Sequence, residues 1–104
     1  MAQQPISSSQ SITLPRDYFD PVGSHTQNSS LSSAQTLTKP AGASRIFLQA
    51  LTQNIRVTLD GTTPTASKGF QVTSGEYIVI PFGGTAIKVI EESASASIEY
   101  QWLK

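Results

Sequence analysis

From Ser44 onward the sequence alternates apolar and polar residues with a period of two, and no segment carries an apolar stripe at the 3.6-residue spacing of a helix. This alternation constrains the fold more than any other feature. "SRIFLQAL" places Ile46, Leu48 and Ala50 on one face. "NIRVTLD" places Ile55, Val57 and Leu59 on one face and Arg56 and Thr58 on the other. "SASIEYQWL" aligns Ala96, Ile98, Tyr100 and Trp102 against Ser97, Glu99 and Gln101. "EYIVIPF" is apolar on both faces, which predicts a strand covered twice, and "TAIKVIEE" alternates poorly enough to suggest the same. Gly42, Gly61, Gly69, Gly75, Gly83 and Gly84 punctuate the connections. Short strands at this spacing predict an all-β fold: a small antiparallel β-sandwich, jelly-roll-like, or a partly open barrel.

Upstream of residue 44 the character changes. Residues 1–43 are rich in Ser, Gln, Thr and Pro and poor in large apolar side chains. Such a stretch buries too little surface on its own to offset the entropy of ordering it. The expected organisation is therefore an extended polar N-terminal arm over 1–43, with a short strand near 34–39 ending at Lys39-Pro40, and a β-sandwich domain over 44–104. Two islands in the arm suit contact with a partner. One is Ile12 and Leu14 at period two; the other is Arg16, Asp17, Tyr18, Phe19 and Asp20, an aromatic pair among charges. The chain has 104 residues, no cysteine, zero formal net charge and only 13% charged residues. Disulfides and thiolate metal sites are excluded. Direct nucleic-acid binding is disfavoured, because phosphate neutralisation needs a basic surface. No apolar run approaches a bilayer span, and the N-terminus has neither the basic nor the apolar region of a secretory signal. A neutral, weakly charged chain fits a protein that works in an assembly.

The residues offer little chemistry. His25 is the single histidine, set in the Ser-rich arm, and is expected to be solvated rather than part of a triad or metal site. Asp17 and Asp20 lie outside any expected cleft. Glu91 and Glu92 are strand neighbours that point to opposite faces and are expected in solvent. Gly83-Gly84 precede a strand, not a helix, so they form a turn and no phosphate loop. "LDGTTPTASKG" asks whether it is a site or a structured turn. Asp60-Gly61 is a favoured turn dipeptide, the hydroxyls of Thr62, Thr63, Thr65 and Ser67 can bond nearby backbone, Pro64 fixes its own φ, and Gly69 lets the chain turn again. A calcium loop needs more acidic ligands than Asp60 alone. The expectation is a structural turn built on Asp60, Gly61, Pro64 and Gly69, with no catalytic residue, cofactor or metal.

Pro40-Ala41-Gly42-Ala43, Gln49-Ala50, Asn54, Arg56, Asp60-Gly61, Pro64-Thr65, Gly69, Ile87, Ile90-Glu91 and Ala94 through Ile98 together form a pattern. It resembles that of small virion-associated proteins of tailed bacteriophages, over about residues 38–102. The resemblance implies a non-enzymatic structural role in a virion assembled in the host cytoplasm. Capsid decoration, or cement, through arm and β-domain comes first; a neck, collar or head–tail connector ring is the alternative. It implies a homo-oligomer (trimer, dimer or ring) in contact with the major capsid protein or with portal or connector proteins, and no membrane. A carbohydrate-binding β-sandwich is a further alternative. Phe70, Phe82, Tyr100 and Trp102 would be its candidate aromatics, although Trp102 shares a face with Ile98 and Tyr100, which favours core or interface burial.

Overall fold

A computed structural model describes residues 20–104, and these form eight strands: β1 Pro21–Asn28, β2 Gln35–Thr38, β3 Arg45–Leu51, β4 Ile55–Thr58, β5 Phe70–Val72, β6 Tyr77–Pro81, β7 Ala86–Glu91 and β8 Ser97–Leu103. Two four-stranded antiparallel sheets, ordered β1-β8-β3-β6 and β2-β7-β4-β5, pack as a sandwich. The pairings explain the orders. β1 pairs with β8, β2 with β7, β3 with β6 and β4 with β5, all antiparallel. The chain is thus one long hairpin whose tip is the β4–β5 loop. Adding β3 to β8 and β4 to β7 rolls that hairpin into two sheets. This is the jelly roll, and every connection except β4–β5 passes from one sheet to the other.

The core is the product of the alternation. Ile46, Leu48 and Ala50 from β3, Ile55 and Val57 from β4, Ile87 and Val89 from β7, and Ile98 and Trp102 from β8 are buried. The cross-strand partners Ile46 and Trp102, and Ala50 and Ile98, share the inner face. Two expected strands differ. β6, expected to be covered on both faces, is the edge of its sheet; Ile78, Val79 and Ile80 are half-buried, while Tyr77 and Pro81 are exposed. Pro81, which has no N–H to donate, closes that edge strand, where its missing donor is tolerated. β7 buries only Ile87 and Val89 and leaves Ala86, Lys88 and Ile90 partly exposed. Leu59 also departs from its expected face, because β4 ends at Thr58 and the chain turns away.

The largest correction concerns the domain boundary. The sandwich does not begin at residue 44; it includes the chain from Pro21. β1 pairs along β8 from Pro21↔Leu103 to Asn28↔Ile98. Leu31 and Leu37 are among the most deeply buried side chains of the molecule. The low apolar content upstream of residue 44 conceals this, because two leucines at the right places, with backbone pairing on both sides, suffice to order the segment. The predicted strand near 34–39 is β2. Asp20 carries the ladder one step further, its carbonyl accepting from Lys104 N at 2.8 Å. Ile12, Leu14, Arg16, Asp17, Tyr18 and Phe19 lie outside the described residues.

Leu31→Ala and Leu37→Ala are each expected to destabilise the protein by about 2–5 kcal/mol, the range for buried leucines. Leu59→Ala, at an exposed position, is expected to stay within about 0.5 kcal/mol. Urea unfolding of the three variants checks whether residues upstream of 44 belong to the core.

Candidate functional site

The loop at the tip of the hairpin is organised almost entirely by its own hydrogen bonds. Asp60 Oδ1 accepts from Thr62 N at 3.0 Å, and Gly61 takes a φ of 91° to allow the turn. The Thr62 hydroxyl and N–H hold the Asp60 carboxyl below the usual aspartate value of 3.8. The Thr58 hydroxyl donates to the Thr62 carbonyl. Thr65 and Lys68 exchange both backbone hydrogen bonds at 3.1 Å, which closes a second small turn. Pro64, between the two turns, is fully buried and pins the loop to the sandwich. Gly69 then passes so close to β4 that a Cβ there would stand 3.1 Å from both the N and the O of Val57, at a φ of 128°. Asp60, Gly61, Pro64 and Gly69 are therefore structural, each for a different reason.

Arg56 locks this loop from the outer face of its sheet. Its Nε donates to Glu92 Oε2 at 2.5 Å and its Nη1 to the Gly69 carbonyl at 3.0 Å. Gln71 Nε2 adds a bond of 2.7 Å to the same Glu92 oxygen, and Asn54 Nδ2 reaches Oε1 at 3.4 Å. Arg56 and Gln71 are cross-strand partners, which is why both reach one carboxylate. Glu92, expected in solvent, instead lies just past the end of β7 and anchors this network. Gln71 first, then Arg56 and Asn54, hold its carboxyl below the ordinary glutamate value, against the opposing effect of partial desolvation. Glu91 accepts from Ala96 N at 3.4 Å, so it too has a local structural partner.

The four candidate aromatics separate. Phe82 and Trp102 are buried with ring centroids 6.2 Å apart, and Tyr100 packs half-buried against the same core. Phe70 alone is on the surface, 69% exposed. With Leu59, Thr58 and Lys68 it lines an open, largely apolar cleft of about 420 Å³ beside the loop. The outer face of the β1-β8-β3-β6 sheet holds what the sequence does not reveal. Phe47 and Tyr77 stack there with centroids 5.1 Å apart. Beside them His25 Nε2 donates to Glu99 Oε1 at 2.7 Å, so this histidine has a fixed partner on β8 rather than lying in a loose arm. The signal available is an aromatic at the polar phase of an alternating strand: Phe47 sits between Ile46 and Leu48, both core residues.

Among the described residues, no group of three or more His, Cys, Asp or Glu comes together in a way that would hold a metal ion, and no helix is long and apolar enough to cross a membrane. Comparison with known proteins finds no matching protein family, no similar curated protein and no similar solved structure.

Gly69→Ala is expected to cost about 1–3 kcal/mol from backbone strain alone, with the contact against Val57 added to it. Gly61→Ala, where a Cβ would meet open space, is expected to cost less, about 1 kcal/mol. Equilibrium unfolding orders the two. For Glu92, the lowered folded value means that its stabilisation is complete above the ordinary value of 4.5 and is lost as pH falls through the folded value. The stability gap between the wild type and Glu92→Gln is expected to be constant near neutrality and to close progressively below about pH 4.5. Thermal melts of both proteins across that range check this.

Proposed function

We propose that this chain is a non-enzymatic structural subunit of a tailed-phage virion, and specifically a capsid decoration protein that cements neighbouring capsid subunits. One observation carries the reading from the side of geometry. Among the described residues, the large hydrophobic side chains left exposed are Leu59, Phe70 and Tyr77, and all three lie on the β4–β5 loop or on the edge strands β5 and β6. Open sheet edges bearing large apolar groups invite pairing with another chain. A permanent neighbour resolves that liability. The resemblance of residues 38–102 to small virion proteins supplies the kind of neighbour: a copy of the same chain, and the major capsid protein beneath it.

The remaining features support the same role. The loop "LDGTTPTASKG" is held at the hairpin tip by hydrogen bonds of Asp60, Thr62, Thr65 and Lys68 within it and by Arg56 from β4. Zero net charge and sparse surface charge lower the repulsion between closely spaced copies. A stable interface takes about 800 Å² from each partner. The cleft beside Phe70 and residues 1–19 ahead of the sandwich offer two separate sources of that area.

Quantitative mass spectrometry of purified particles, normalised to the major capsid protein, tests the proposal. Hundreds of copies support decoration. About a dozen point instead to a ring at the neck or connector. Absence from the particle removes the virion reading altogether. Phe70→Lys is expected to lower occupancy at least about tenfold, as charging an apolar contact does, while leaving the melting temperature nearly unchanged.

A further inference from the structure

The outer face of the β1-β8-β3-β6 sheet carries a second arrangement that the structural role does not require. β1 bulges between Val22 and Thr26: four steps along β1 answer two along β8, from Trp102 to Tyr100. Gly23, with a φ of 78°, makes this possible. The bulge has two effects. Its carbonyls at Val22 and Gly23, at 3.3 and 3.1 Å, share the Gln101 Nε2 donors with the Trp102 carbonyl at 3.1 Å, which orients the Gln101 amide with its oxygen as the acceptor. It also delivers His25 to Glu99 at 2.7 Å, which fixes one carboxylate oxygen and leaves the other, Oε2, in reach of a ligand. Bulges commonly re-aim side chains beside functional sites.

These groups surround a depression of about 250 Å³ lined by His25, Phe47, Gln49, Glu99, Tyr100 and Gln101. Phe47 is backed on β6 by the stacked Tyr77 ring. We infer that this depression is a binding subsite for a single neutral sugar ring. The chemistry follows from the lining. A pyranose presents an apolar face of C–H groups, which rests on the electron-rich face of an aromatic ring. Its hydroxyls are each donor and acceptor, and they match a mixed set of carboxylate, amides and imidazole. The lining includes no lysine or arginine, so a phosphate or sulfate would find no counter-charge. The volume falls below the roughly 300–1,000 Å³ of clefts for drug-sized ligands, which limits the occupant to about one ring. Gln101 and Glu99 are held before the ligand arrives, so less ordering entropy opposes binding. This inference does not rest on the virion reading: apart from Tyr77, which backs Phe47 here and is also exposed on edge strand β6, it uses different residues.

Saturation-transfer NMR on the full chain, with methyl glycosides of glucose, galactose, mannose and N-acetylglucosamine as probes, tests it. Transfer to at least one pyranoside is expected, with a Kd of about 1–10 mM. Phe47→Ala and Glu99→Gln are each expected to weaken it by about tenfold or more, equivalent to one well-made contact, while Phe70→Ala leaves it unchanged. Gln49→Ala replaces Phe47→Ala if the amide spectrum shows that the latter has not folded. No transfer to any probe up to about 20 mM, or transfer that survives these substitutions, overturns the inference. So does a response of these resonances to protein concentration but not to sugar, which would assign the face to contact between copies.

Discussion

The bond from Arg56 to Glu92 and to the Gly69 carbonyl is the constraint on which the rest of the molecule depends. A jelly roll is a single hairpin folded over, and its geometry is set at the tip. A one-residue slip of β4 against β5 across the 59–69 loop would turn the alternating side chains of the slipped strand to the wrong face. Arg56 ties that loop's exit to the end of β7, and so fixes the tip pair and the strand on its other side with one side chain. Gly69 passes against Val57 at a distance no other residue tolerates without displacement, and Pro64 seats the loop in the core. The polar character of this segment is thus a requirement of topology.

Much of this is legible in the sequence, for physical reasons. The period of two follows directly from strand geometry, so the spacing of Ile46, Leu48, Ala50, Ile55, Val57, Ile98 and Trp102 is enough to declare their common face. Gly61 and Gly69 declare turns because few other residues accept their backbone angles, and Asp60 because its carboxylate accepts from a backbone N–H two residues on. What stays hidden depends on pairing across long sequence separations. "SHTQN" in β1 has no apolar alternation; it is a strand because β8 offers it a ladder. Leu31 and Leu37 look isolated along the chain and are central in space. Glu92, Gln71 and Arg56 converge because register places them side by side, and no spacing rule within one strand could show it. "EYIVIPF" misleads in the other direction. Its apolar outer positions are shielded in part by Phe47 stacked on Tyr77, not by a second layer.

The two sheets divide the surface by character. The edge formed by β5, β6 and the loop at the hairpin tip is apolar and open, with backbone groups unpaired by any described strand of the sandwich. The outer face centred on β3 and β8 is polar, held in place by the bulge of β1, and its hydrogen-bonding groups have fixed orientations. The first suits a broad protein contact, where complementarity over area matters. The second suits a small ligand, where a few groups must stand ready. The two faces share no side chain except Tyr77, whose ring belongs to the edge strand but backs Phe47.

The pairing of the first described strand with the last also sets a schedule. Val22 and Gln101 are 79 residues apart, and on a ribosome adding roughly 5–20 residues per second that interval is about 4–16 s. For that time β1 exists without β8, the described strand it pairs with, and the sheet that holds it has no centre. The β1–β8 and β3–β8 ladders are thus the last of the described pairings to become available as the chain is made. Until β8 has been made, the β1 edge therefore has no partner among the described strands and is open to pairing with another chain.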